Sequence, residues 1–218
     1  MACMASSIRK IMGVAAALAA LAAWPGISQA QLGLPGIPPL PDLGGGGQTQ
    51  TALVGQASAV TAVVLGNVTS LADTGTLASA SQPLGTGLGT GSIAGLVSAE
   101  ALHAATMGWS DQVASEASLA NLTMTVAGIG ITAGSVLSRA LAVSGAGGSG
   151  LTSIEGLSIG GVPVLPTGGV NQQISLPGLS VILNEQIQSA GGIVVNALRI
   201  RTLNGLTDVV IGSAKAGI

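Results

Sequence analysis

Residues 193–214 read IVVNALRIRTLNGLTDVVIGSA, two β-branched runs joined by Asn204-Gly205. Val and Ile suit a pleated, half-buried surface. Asn-Gly is the strongest short hairpin signal, because a type I′ turn needs positive φ at both central residues. Counting back from that turn sets Leu203 opposite Leu206, Arg201 opposite Asp208, Ile200 opposite Val209 and Leu198 opposite Ile211. Arg201 and Asp208 then make a cross-strand ion pair, and the apolar pairs point to the other face. One register accounts for charged and apolar positions together, as expected where one face is buried. An exposed pair of this kind contributes only about 0–1 kcal/mol.

The same grammar runs upstream. Leu122, Met124 and Val126 alternate with Asn121, Thr123 and Thr125, so period two separates an apolar from a polar face. Short Val/Ile/Thr/Ala stretches are separated by Gly-rich breaks near 85–91, 145–150, 160–161, 167–169 and 190–192. Residues 93–107, IAGLVSAEALHAATM, are rich in helix formers, but Gly95 interrupts them and no 3.6-residue stripe appears. They read as strand, with helix as the alternative. The expected fold over 51–218 is all-β: an antiparallel β-sandwich, jelly-roll-like, with Gly-rich turns. An irregular β-solenoid is the alternative, and the absence of a fixed-period repeat counts against a regular one.

The N-terminus is different in kind. Arg9 and Lys10 precede an apolar stretch from Ile11 to Trp24, Pro25-Gly26 breaks any helix, and Ser28-Gln29-Ala30 offers small residues where a signal peptidase reads. Residues 1–30 therefore read as a secretory signal, in preference to a buried N-terminal helix. Its apolar core is too short for a permanent membrane anchor. Residues 31–50 follow as a linker: Pro35, Pro38, Pro39 and Pro41 favour extended geometry, and Gly44 to Gly47 a flexible joint. The expected location is secreted or at the cell surface.

Cleavage after Ala30 removes Cys3, the only cysteine, leaving no disulfide. It leaves four cations (Arg139, Arg199, Arg201, Lys215) against eight acids, a net charge of −4. Such a chain cannot neutralise a phosphate backbone, which excludes nucleic acid as a partner. There is no Phe or Tyr, and Trp109 is the only aromatic beyond the signal. That argues against an aromatic glycan-binding face and against the aromatic girdles of an outer-membrane barrel.

Several segments in order carry a family resemblance: SEASLANLTM (115–124), ITAGSVLSRA (131–140), LSIGGVPV (157–164), ISLPGLSVILNEQ (174–186), IVVNALRI (193–200) and DVVIGSA (208–214). Together they resemble the bacterial choice-of-anchor P family of exported domains, over about residues 51–216. The resemblance implies a secreted or surface-associated domain. It brings no catalytic residues. Members join a common domain to differing sorting signals; here the chain ends SAKAGI, with no LPxTG-like motif, apolar helix or basic tail.

Reactive side chains are few. His103 is the only histidine, no G-x-S-x-G elbow surrounds a serine, and one histidine without cysteine cannot build an ordinary zinc site. Among the carboxylates, Glu185 in VILNEQ stands out because a strand places it near the apolar core, where Asn184, Gln186 or an arginine would have to satisfy it. Asp111 and Glu116 flank no Asp-rich calcium loop. Residues 89–94, GTGSIA, match G-x-G-x-x-A but lie in a Gly/Thr break without the acidic residue and helix of a dinucleotide site. Asn67 and Asn121 head N-x-T triplets of no expected consequence in a bacterial chain. No cofactor is expected. The favoured reading is a non-catalytic structural or interaction domain whose partners are itself or other cell-surface components, with self-assembly through strand edges. A ligand- or glycan-binding module is the alternative, supported if Trp109, Asp111 and Glu116 share a groove. A secreted hydrolase built on His103 or paired carboxylates ranks below both.

Overall fold

The computed structural model describes residues 53–77, 79–80 and 82–218. The expected signal and linker both lie outside the described residues. Thirteen strands follow one another with no helix among the described residues: β1 Val54–Val64, β2 Asn67–Asp73, β3 Leu84–Ile93, β4 Val97–Gly108, β5 Gln112–Val126, β6 Ile129–Val143, β7 Gly147–Glu155, β8 Ser158–Ile159, β9 Val162–Pro163, β10 Gln172–Leu176, β11 Leu179–Ser189, β12 Gly192–Thr202 and β13 Thr207–Gly217. Residues 97–107 are strand, and Gly95, at φ 71°, sits in the turn that precedes them.

The strands form two antiparallel sheets packed face to face, the sandwich expected from the sequence. Sheet A runs β10-β11-β12-β13-β1-β2; sheet B runs β3-β4-β5-β6-β8-β9, with β7 also on β6. Every ladder is antiparallel, so the solenoid alternative, which stacks parallel strands, is not formed. The strand path is a run of consecutive hairpins within each sheet, and β13 lies against β1. β13 faces β5 and β6, β12 faces β6 and β7, and β1 faces β4 and β5.

Aliphatic side chains of modest size fill the space between the sheets. The larger cluster includes Val60, Leu102, Leu122, Met124, Ile131, Leu183, Leu198, Ile200, Val209 and Ile211. A second gathers around Leu77, Val113, Ile193 and Val195. With no aromatic to fill gaps, glycine sets the spacing in places. A Cβ on Gly150 would lie 2.4 Å from the Val195 side chain, and one on Gly148 2.7 Å from Ile193, so β7 approaches β12 only because both are glycine. Polar links also join the two sheets: Gln186 Nε2 on β11 donates to the Gly150 carbonyl on β7 at 3.3 Å, and Gln188 Nε2 to the Gly148 carbonyl at 3.2 Å. The Ser115 hydroxyl on β5 donates to the Lys215 carbonyl on β13 at 2.6 Å and is 2.7 Å from the Thr106 hydroxyl on β4. Ser138, fully enclosed, is the exception: its hydroxyl has no partner among the described residues.

The hairpin at 204–205 keeps the expected register with a different turn. Arg201 pairs with Asp208, Ile200 with Val209 and Leu198 with Ile211. The type I′ turn is not formed: Gly205 has φ 72°, while Asn204 is not in the positive region. The Gly205 amide donates to the Thr202 carbonyl, and Asn204 Oδ1 accepts from the Leu206 amide, making a wider loop. Neighbouring loops explain the change. The Leu203 amide donates to the Gly178 carbonyl, and the Leu206 carbonyl accepts from the Leu65 amide, so both residues are drawn out of the pairing expected between them.

A second departure runs through the whole molecule. Inward-facing residues do not keep one phase along a strand. On β5, Val113, Ala117 and Leu119 are buried, then Leu122, Met124 and Val126; the phase changes at Asn121. The same break falls at Ala59, Ala72, Ala101, Gly134, Asn184, Ala197 and Gly212. These positions lie side by side. The registers align Asn171, Asn184, Ala197, Gly212, Ala59 and Ala72 across sheet A. In sheet B they align Gly89 with Ala101 and Asn121 with Gly134, and a bulge joins β4 to β5 at the same level. Asn171, Asn184, Ala72, Ala101 and Asn121 have φ between 48° and 56°, and Gly212 has 62°. The result is a transverse crease at which every crossing strand swaps faces. It is made entirely of Gly, Ala and Asn: left-handed backbone is least costly for Gly and Asn, and Ala keeps the crowding small.

Two substitutions test this packing. Ala101→Gly, at an exposed left-handed position, is expected to raise stability by up to about 1 kcal/mol. Gly150→Val is expected to lower it by about 1–3 kcal/mol through overpacking against Val195. Urea unfolding midpoints at constant m-value measure both.

Candidate functional site

β12 carries the charged cluster of the molecule on its outer face. Arg199 and Arg201 are two residues apart and so share that face. Asp208 stands opposite Arg201 on β13, and Glu185 stands opposite Asn196 on β11. The crease is what assembles them. An unbroken strand with Arg199 outward would turn Asn196 inward; the phase change at Ala197 returns Asn196, and its neighbour Glu185, to the face of the arginines. Glu185 is thus buried, at 8% exposure, but on the outer side of sheet A and not against the apolar core, as the sequence suggested.

Arg199 is the hub. Its Nη1 donates to Glu185 Oε1 at 3.1 Å and Oε2 at 3.2 Å. Its Nε and Nη2 donate to Asp208 Oδ1 at 3.0 Å and Oδ2 at 2.7 Å, a bidentate fork. Arg201 Nε donates to Asp208 Oδ2 at 3.0 Å from a more exposed position, and Asn196 Nδ2 donates to Glu185 Oε2 at 2.6 Å. Burial alone would push the Asp208 carboxyl up, but the hydrogen bonds and charges of Arg199 and Arg201 outweigh it and hold the group below the ordinary carboxylate range. Hydrogen bonding to Asp208 raises Arg199 further, against burial, with Glu185 adding to the rise. Both carboxylates are therefore held by arginine. The cluster ties β11, β12 and β13 together and offers no free base or nucleophile.

The sequence pointed to Arg201, Asp208 and Glu185. It missed Arg199 and Asn196, although Arg199 was legible as the same-face neighbour of Arg201.

The remaining polar residues do not converge. His103 is on the outer face of sheet B, between Gly87 and Ser118, on the other sheet from Glu185 and Asp208. Trp109 lies in the turn between β4 and β5, 40% exposed, with Asp111 exposed nearby. Glu116 is five residues along β5 from Asp111 and pairs with Arg139 of β6. The G-x-G-x-x-A stretch is strand β3 running into the Ala94–Leu96 turn, not a strand-to-helix junction. Glu100 accepts from Asn121 Nδ2 at 2.8 Å at the rim of a shallow depression of about 500 Å³ that also includes Thr90, Ser92, Ser98 and Thr123. No group of three His, Cys, Asp or Glu side chains among the described residues is arranged to hold a metal ion.

Comparison with protein-family models, with curated proteins and with solved structures finds no match to this chain.

Arg199→Met leaves Glu185 buried without its cation and is expected to cost about 3–5 kcal/mol in urea unfolding. Arg201→Met, at a side chain 46% exposed, costs about 1 kcal/mol or less. Because the folded Asp208 pKa is depressed, its contribution is fully present above the unfolded carboxylate pKa and is lost as pH falls through the folded one. An acid titration of stability is therefore expected to lose part of its slope below about pH 4 in Asp208→Asn.

Proposed function

We propose that the chain is exported and that residues 51–218 act outside the cell or at its surface as a non-catalytic structural or interaction domain able to self-associate. The observation that carries this reading is the state of the acids. Glu185 and Asp208 are both bridged by Arg199, while His103 lies on the other sheet. General acid–base work needs a group free to exchange its proton at the operating pH. Other observations favour the same reading: the signal pattern of residues 1–30, the resemblance to exported domains, and outer strand faces rich in Ser, Thr, Ala and Gly. No helix among the described residues is long and apolar enough to cross a membrane.

A second reading, a ligand- or glycan-binding module, draws on the hydroxyl-lined depression beside Glu100. Trp109 is not among the residues lining it, so the aromatic platform typical of sugar sites is not supplied there.

The test is processing. Expressed as the full chain in a bacterial host, the protein is expected in the medium or cell envelope with Gln31 as its N-terminal residue, read by mass spectrometry. Recovery from the cytoplasm with the first thirty residues intact would overturn the export reading.

A further inference from the structure

Sheet edges expose unpaired amides and carbonyls, and soluble proteins usually guard them with charge, proline, shortness or a covering group. Most edges here are guarded. β10 is five residues long and runs into Pro177, and β9 is two residues ending in Pro163. β2 ends in Asp73. On β7, the carbonyls of Gly148 and Gly150 are taken by the Gln188 and Gln186 side chains. β3 is the exception. It is ten residues long, LGTGLGTGSI, with no charge and no proline, and among the described residues it pairs only with β4.

The crease restricts what can add to that edge. Residues directly opposite one another share a face. Thr86 and Leu88 oppose the buried Ala104 and Leu102, so they face inward. Gly91 and Ile93 oppose the buried Ala99 and Val97, so they face inward too. Gly89 and Thr90 between them both face outward. An ordinary strand laid along β3 would match one half and put the other half on the wrong face. A partner needs the same double-outward step at the same level.

We propose that the edge of β3 binds the edge of β3 from a second copy of this chain, antiparallel about a two-fold axis between Gly89 and Thr90. This rests on the self-association read above and names its site and register. The in-and-out pattern of β3 is the same read from either end about that midpoint, so a second copy carries the matching step. Steric fit follows the same register. Leu88, 40% exposed in the single chain, meets Gly91 of the second copy; Ser92 meets its Gly87, and Thr90 its Gly89. Each larger side chain falls opposite a glycine, and only Thr86 and Ile93 meet as two bulky residues. The interface is isologous, so it closes as a dimer and does not by itself propagate a fibre.

The test uses the full exported chain. Sedimentation velocity across a dilution series is expected to show a monomer–dimer equilibrium. Thr90→Lys places a cation opposite Glu100 of its own chain, which the fold accommodates, but sets two lysines beside the two-fold axis. It is expected to weaken association at least about tenfold with an unchanged melting temperature. In a Cys3→Ser background, Gly87→Cys with Ser92→Cys is expected to give a reducible dimer on mild oxidation, with peptide mass spectra linking 87 to 92 between copies. A wild-type chain monomeric at every concentration, a Thr90→Lys chain that dimerises as well as wild type, or cross-links confined to 87–87 or 92–92 would each overturn the proposal. A monomer recovered outside the cell sinks this inference alone; a dimer retained with an uncleaved N-terminus sinks only the export reading.

Discussion

At one level along each long strand, the backbone of this sandwich turns its side chains over. Asn184, Ala197, Gly212, Ala59 and Ala72 lie shoulder to shoulder across sheet A, and Ala101, Asn121 and Gly134 mark the same level in sheet B. Several hold a left-handed conformation that costs an alanine about 1–2 kcal/mol. A bulge on one strand is a local event, but here each neighbour carries its own, so hydrogen-bonded registers resume unchanged on the far side. Without that alignment, half of every strand that crosses it would turn its aliphatic residues to solvent. The two hydrophobic clusters, the position of the charged cluster and the shape of the free edge all follow from it.

The charged cluster shows how the crease converts a local sequence into a tertiary interaction. Arg199, Arg201 and Asp208 are brought together by an ordinary hairpin. Glu185 joins them only because Asn184 and Ala197 reverse the phase of β11 and β12 together. Its burial is tolerable because Arg199 and Asn196 satisfy both oxygens. The same arginine neutralises Asp208, so an apparent pair of acids becomes a brace across three strands.

What the sequence disclosed follows from where its periodicity is clean. The hairpin register from Leu198 to Ile211 was legible because β-branched residues alternate with charges on both arms. Leu122, Met124 and Val126 were legible for the same reason. The crease was not, because a phase change erases the period-two signal at the point where it matters, and its residues are the small ones that any turn also uses. The Asn204-Gly205 turn was misread because backbone bonds from Leu65 and to Gly178, each from another hairpin, decide the loop. Glu185 was singled out as a candidate buried carboxylate and is buried, but its face depended on the phase change at the adjacent Asn184 and its counterpart Ala197, twelve residues further along the sequence on the next strand.

The hydroxyl of Ser115 bears on a different property. Aliphatic layers built from Ala, Val and Leu present smooth surfaces, and dispersion forces between them change little when one layer glides by an ångström or two. The bond from Ser115 to the Lys215 carbonyl, backed by Thr106, is directional and spans the gap between the layers. Gliding would stretch it beyond hydrogen-bonding range and strand polar atoms in a dry interior. Together with the Gln186 and Gln188 bonds to the carbonyls of β7, this hydroxyl gives the two layers a fixed alignment in shear, a rigidity that aliphatic contact area by itself does not confer.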